Sequence, residues 1–414
     1  MTARFVEAGP EDQGGGFDLL LGSRVILRHR VDAPAFRIAK GNPSVTMVRG
    51  NFRMEDAPDQ TYVPRHAVVG KDPHDGTRVE FTELGLFKPE LTLVLSENGF
   101  LWAYAPIGAG YDRLSISFVK QADEVLWGGG EQMSYLTLNG RTFPMWTSEP
   151  GVGREPGTPL TDRMSADGSF AGGDYWTTNY PQPTILSSRG HAMLVNESCY
   201  AEIDCRQAES FTVSLWSNTA SISLFDCATP AEATVRFSPN GDRDQPPLPD
   251  WAIGGAIIGL KDGANSFERL EKIIAAGAAV SGLWCEDWIG IRQTSFGRRL
   301  FWDWQWNAAR YPDLPGRIAS LKERGIRFLG YVNPYLAVDG PQYAEAARLG
   351  YLALKLDSDA PYAVDFGEFD AGVVDFTNPD AAAWFAEEII GKQMLDFGLD
   401  GWMADFGEYL PVDL

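Results

Sequence analysis

Over residues 1 to about 245, apolar and polar positions alternate in short runs: SRVILRHR, PSVTMVRGNFRM, RVEFTEL, ELTLVLSENGFLWAYAPI, RLSISFVK, HAMLVN, CYAEIDC, SFTVSLWS, ASISLFD and EATVRFSP. β-Branched and aromatic residues fill these runs. Gly, Pro, Asn and Asp separate them, which is the grammar of half-buried strands. SENG is a hairpin turn signal. No helical period longer than about three turns interrupts the pattern. The reading is an N-terminal antiparallel β-sandwich over residues 1–245.

A cluster of Pro, Gly and Asp, SPNGDRDQPPLPDWA at 238–252, marks a linker. The period then changes over residues 246–414. WAIGGAIIGL reads as a buried strand, GANSFERLEKIIAAGA as a helix and VSGLWCEDW as a strand. LPGRIASLKERGI is a helix, IRFLGYVNPYLA a third strand and GPQYAEAARLG a helix. PDAAAWFAEEIIGKQMLDFGLD is a longer helix, and GWMADFGE a fourth strand. Alternation of this kind predicts a parallel sheet covered by helices. Four strands fit either an open doubly wound sheet or the first half of an eight-stranded barrel. The barrel is favoured by where the chemistry falls. Lys261 follows the first strand, Glu286 and Asp287 end the second, Asn333 ends the third, and Asp405 and Glu408 end the fourth. Barrel active sites gather at those strand ends. No GxGxxG follows the first strand, which weakens a dinucleotide-binding reading. The remainder of a (β/α)8 barrel is expected beyond Leu414, at roughly 150–250 further residues.

Composition narrows the partners. The formal net charge of −21 repels nucleic-acid phosphates and anionic lipid heads. An anionic small substrate would therefore need a local cationic patch. The polar, acidic start MTARFVEAGPEDQGGG is unlike a signal peptide, and no apolar run approaches the ~20 residues that span a bilayer. A cytoplasmic protein without membrane or nucleic-acid partners is expected, with homo-oligomerisation left open. Cys199 and Cys205 read equally as two thiols or a disulfide; Cys227 and Cys285 complete the set. His29, His66, His74 and His191 all lie in the first half, which leaves no imidazole for a zinc site in the second. Aromatic residues make up 12%, which fits large cores or a sugar-binding cleft.

Asp405, in GWMADFGEYLP, is a carboxylate at the end of a buried strand, costly there unless used or paired. It reads either as a helix cap or as a nucleophile held on a rigid strand. GWMADFGEYLP resembles the nucleophile signature of glycoside hydrolase family 31. WGGGEQMSYLTLNGRTFPMWTSEPGVGR (127–154), DWIGIRQTSFGRRLFWDWQWN (287–307) and VVDFTNPDAAAWF (373–385) resemble that family's sulfoquinovosidase branch. The likeness runs over nearly the whole chain. It implies an N-terminal β-sandwich, a (β/α)8 barrel and C-terminal β domains. It also implies retaining double displacement without metal or cofactor. Asp405 becomes the nucleophile, and the general acid/base Asp lies on a later barrel strand outside this sequence. The 414-residue piece is then expected to be inert alone.

The resemblance further implies that Arg299 and Trp302, in GRRLFW, clasp the sulfonate of an α-sulfoquinovoside such as sulfoquinovosyl glycerol. Arg supplies a rigid fork of N–H donors to an always-ionised group, and the indole N–H a neutral donor. Arg299 taken alone reads more readily as a surface arginine in a Gly-rich loop, and Arg298 takes the role if the register shifts by one. Lys261 and Glu286 match the Lys/Glu form of two further sugar-binding positions. They read otherwise as a solvated lysine and a charge pair. Asp287 is a further hydroxyl acceptor, and Asn333 and Glu408 are candidates for substrate binding. Glu131 and Gln132, after three glycines, either reach the sugar pocket or hold their loop; SADGSFAGGDYWTTNYPQP (165–183) lines the aglycone side or packs. Other readings are an α-glucosidase or α-xylosidase of the same family, or a non-catalytic carbohydrate-binding protein.

Overall fold

The computed structural model describes residues 3–9, 15–73, 76–82, 90–106, 110–238, 246–295 and 297–414. It divides into two compact units, Met1–Gln245 and Pro246–Leu414. The linker cluster at 239–245 and His74 lie outside the described residues.

The first unit is built of antiparallel sheets. An eight-stranded sheet runs, in spatial order, Leu126–Gly130, Pro181–Ser187, His191–Val195, Thr219–Asp226, Phe100–Tyr104, Leu91–Leu95, Thr77–Phe81 and Ala67–Lys71. A six-stranded sheet runs Thr142–Met145, Ala201–Asp204, Ser210–Leu215, Arg113–Val119, Phe36–Lys40 and Gln60–Tyr62. Alternation sets which face is buried. Leu114, Ile116 and Phe118 enter the common core, while Ser115 and Ser117 on the other face bond Ser214 and Thr212 of the neighbouring strand. The SENG turn closes the hairpin Leu91–Leu95 to Phe100–Tyr104, with Gly99 at φ 85°. PSVTMVRGNFRM is two strands, Pro43–Val48 and Asn51–Asp56, joined at Arg49 (φ 50°) and Gly50 (φ 79°). All four cysteines are free thiols, so the disulfide alternative for Cys199 and Cys205 falls away.

One run is misread by its side chains. EATVRFSP looks like a strand, yet Pro230–Phe237 is a helix. A capping box decides it. Thr229 Oγ1 accepts from Glu232 N at 3.3 Å, and Glu232 Oε2 accepts from Ala228 N at 2.8 Å, with Pro230 opening the first turn. A satisfied helix-end donor at Glu232, with the Ala228 N–H held just before the cap, outweighs the strand preference of Thr234 and Val235.

The second unit holds a parallel sheet in the order Ala256–Gly259, Val280–Trp284, Arg327–Val332, Gly401–Ala404. Helices cover it. In Leu314–Glu323, Leu314, Ile318 and Leu321 recur at helical spacing and are buried. WAIGGAIIGL is not one buried strand: Asp250–Ile253 forms a helical turn after Pro249, and the strand starts at Ala256. That strand is an edge, so Ile257 remains 41% exposed. IRFLGYVNPYLA also breaks, because Pro334 cannot continue the ladder, and Tyr335–Ala337 joins a separate antiparallel sheet. The last long helix is α-helical over Pro379–Trp384 and widens to a π-helix over Phe385–Leu395. Nothing in its residues explains the widening.

Candidate active site

The carboxyl ends of the four parallel strands surround a cavity of about 390 Å³. Lys261 and Asp262 come from the loop after the first strand, and Glu286 and Asp287 from a 3-10 turn after the second. Tyr331 lies near the end of the third, and Asp405 directly follows the fourth. Arg298 and Arg299 belong to a β-hairpin, Ile291–Thr294 with Gly297–Leu300, that projects after the second strand.

Asp405 is exposed and tied at two points. Its backbone N–H donates to Val332 O at 3.0 Å, continuing the parallel ladder by one residue. The Tyr331 hydroxyl donates to Asp405 Oδ2 at 2.9 Å. Burial pushes the Tyr331 phenol far above its usual range, and the Asp405 charge adds to the shift, so the hydroxyl stays a donor. Asn333 Nδ2 donates to the Tyr331 oxygen at 3.4 Å. Phe406, the next residue, is left-handed at φ 57°, a conformation that costs a non-glycine of order 1–3 kcal/mol. The chain thus turns sharply away just after the carboxylate.

The charges sort into pairs. Lys261 Nζ meets Glu286 Oε1 at 2.9 Å. Asp287, 1% exposed, accepts from Gly263 N at 3.2 Å, from Arg310 Nε at 2.5 Å and, on its other oxygen, from the Tyr311 hydroxyl. Both its oxygens are engaged within the protein, and it braces the second strand against the Arg310 loop while still lining the cavity. Arg298 and Arg299 have no carboxylate partner among the described residues. Their hairpin is pinned from outside. Arg292 grips Asp339 through two bonds of 3.1 and 2.8 Å, and Ser295 N donates to Glu368 Oε2 at 2.7 Å.

Trp302 is 5% exposed, and its ring is enclosed by Tyr335, Phe366, Phe369 and Phe406 at centroid distances of 4.7–5.9 Å. It lines the cavity, and its indole N–H has no hydrogen-bond partner. A buried donor left so costs roughly 1–3 kcal/mol until an acceptor arrives.

Of the residues singled out in the sequence, Lys261, Glu286, Asp287, Arg298, Arg299, Trp302 and Asp405 come together here. Asn333 and Glu408 do not line the cavity. Asn333 is 3% exposed and turns its carbonyl to Tyr335 N at 3.0 Å, which makes it a support for Tyr331 instead of a substrate contact. Glu131 and Gln132 belong to the other unit. There Glu131 N bonds Tyr180 O, and Gln132 Nε2 bonds Gly129 O at 2.8 Å, so Gln132 holds its own loop. Tyr331, Arg310, Phe369 and Phe406 were not foreseen. Tyr331 had one legible signal: it shares the strand face of Asn333 by the two-residue period. Among the described residues no group of His, Cys, Asp and Glu is placed to hold a metal ion.

Comparison with known proteins places relatives beside this chain. A curated sulfoquinovosidase of Agrobacterium fabrum is 53% identical over 96% of this chain and 59% of its own length. One from Escherichia coli K12 is 39% identical over 96% of this chain and 58% of its own. The solved structure of a GH31 family sulfoquinovosidase from E. rectale, in complex with an aza-sugar inhibitor, superposes with a TM-score of 0.88 at 39% identity. It covers 100% of this chain, which spans 60% of that one. The chain therefore spans about three fifths of the relatives it matches. Residues 245–413, the unit that carries the cavity, match the model of the glycosyl hydrolases family 31 TIM-barrel domain.

Proposed function

We propose that this chain is the N-terminal part of a retaining α-glycosidase that hydrolyses α-sulfoquinovosides. One observation carries the reading. Two arginines without acidic partners and an unpartnered buried indole N–H share a cavity with Asp405. A sulfonate is permanently ionised and offers three acceptor oxygens, which is what such donors lack. In a chain of net charge −21, this is the local cationic patch an anionic sugar requires.

Asp405 is the nucleophile. The oxygen not held by Tyr331 attacks the anomeric carbon as a general acid protonates the leaving oxygen. A glycosyl-enzyme ester forms, and water, activated by the same group as base, then releases the sugar with retained configuration. That acid/base is an Asp about 5–5.5 Å from Asp405, on a later barrel strand. Arg299, with Arg298 beside it, and Trp302 bind the sulfonate. Lys261 and Glu286, paired with each other, bind ring hydroxyls. The four-stranded sheet is the first half of a (β/α)8 barrel whose other strands follow residue 414, with C-terminal β domains beyond. The 414-residue chain alone is expected to be inactive.

The test is the stereochemistry of hydrolysis of α-sulfoquinovosyl glycerol by the complete enzyme, followed by NMR. Free sulfoquinovose should appear first as the α-anomer and then mutarotate. A β-anomer appearing first would overturn the mechanism.

A further inference from the structure

We propose that the β-sandwich unit carries a second ligand site, a pocket for a neutral pyranosyl unit. It lies between the hairpin Pro43–Val48/Asn51–Asp56 and the loop region that follows Thr142–Met145. The proposal rests on residues of the first unit alone.

A cavity of about 340 Å³, within the range of small-molecule sites, is lined wholly by residues of the first unit. Its lining is aromatic. Phe52 meets the Trp146 ring edge-on at 5.6 Å, Trp146 packs on Tyr200 at 6.2 Å, and Trp176 and Phe170 add two more rings. Flat rings of this kind match the C–H faces of a pyranose, while an aliphatic core would have no need of them at a surface opening.

The cavity is a built feature. Phe170 is left-handed at φ 58°, and the Arg53 guanidinium lies 4.4 Å over its ring, linking hairpin to loop. The loop crosses itself at Gly151 and Gly173, where an added Cβ on Gly151 would come within 2.6 Å of Gly173 N. Backbone forced into so close a crossing, with an aromatic residue in a strained conformation, marks a shape held for use.

The polar groups choose the ligand. Asp174 Oδ1 takes the N–H of Tyr175 at 2.7 Å, and Asp162 Oδ1 takes that of Gly157 at 2.9 Å, which leaves each carboxylate a second oxygen. Asn51, 7% exposed, donates its amide N–H to Val48 O at 3.3 Å and adds its carbonyl oxygen as a further acceptor. Hydroxyls of a sugar satisfy such acceptors. Arg53 is the cation among the lining residues, against two carboxylates, so a sulfonate or phosphate is disfavoured. No His, Lys or Cys lines the cavity, which fits retention of a sugar without chemistry upon it.

The experiment is saturation-transfer NMR on the 414-residue chain with methyl α-D-glucopyranoside and methyl α-D-galactopyranoside at millimolar concentration, and methyl α-sulfoquinovoside as the anionic comparison. At least one neutral glycoside should give a saturable signal, weakened about tenfold or more by Trp176→Ala and by Asp174→Asn. The signal should persist in Asp405→Asn and Arg299→Ala, which alter only the barrel cavity. Asp174→Asn keeps the bond to Tyr175 N, so it reads binding even where Trp176→Ala fails to fold. No saturable signal from either neutral glycoside would overturn the proposal, as would a signal untouched by Asp174→Asn or abolished by Asp405→Asn.

Discussion

At the scale of single residues, the account turns on what holds Asp405. Tyr331 donates to one carboxylate oxygen and cannot ionise in the working range, so it fixes the carboxylate in place. Tyr331→Phe in the complete enzyme should lower kcat by roughly 10–100-fold with little change in KM. An unchanged kcat with a raised KM would assign Tyr331 to packing. A second residue sets a pH dependence of stability. Burial, with the charge of Asp339 added, pushes the Asp303 carboxyl up to about 6, against the weaker opposing effect of hydrogen bonds and Arg292. A carboxyl raised above its unfolded value favours the fold fully only below that unfolded value. The advantage is lost as pH rises from about 4 through 6. Asp303→Asn should therefore raise thermal stability more at pH 7.5 than at pH 4, by about 1 kcal/mol once the remaining solvent contact is allowed for. Equal effects at both values would mean that Asp303 titrates normally.

At the scale of elements, period was the readable signal and boundaries were not. The strand Arg113–Val119 and the helix Leu314–Glu323 follow directly from their two-residue and helical periods. At Pro230–Phe237 the β-branched residues signal a strand, while the Thr229–Glu232 cap in the same sequence signals the helix that forms. That cap is testable: Thr229→Ala should destabilise the protein by about 1 kcal/mol, read by denaturant unfolding, and Thr229→Ser should restore most of it. Of the site, the strand-end carboxylates and the GRRLFW motif were legible because each sits at a punctuation point of the chain. The role of Asp287 as a brace was not, since its partners Arg310 and Tyr311 are more than twenty residues away. Three-dimensional pairing of that sort leaves no local pattern.

At the scale of the whole molecule, two facts belong together. The chain spans about three fifths of its relatives, and the parallel sheet is bounded by Ala256–Gly259 and Gly401–Ala404, each paired on one side only. Apolar side chains stand exposed on both edge strands, Ile257 at 41% and Met403 at 45%. Uncovered edges of this kind bind dyes and other chains. The 414-residue chain should therefore bind ANS strongly, and the complete enzyme weakly; equal weak binding would contradict the half-barrel reading. The most direct measurement is the ratio of kcat/KM for the 4-nitrophenyl α-glycosides of sulfoquinovose and glucose with the complete enzyme. The account predicts a large preference for the sulfonated sugar. Arg299→Ala should reduce it by roughly 10–100-fold, the value of one or two charge-assisted bonds, and Asp405→Asn should abolish turnover of both substrates. Equal or better turnover of the glucoside, or turnover that survives Asp405→Asn, would contradict it.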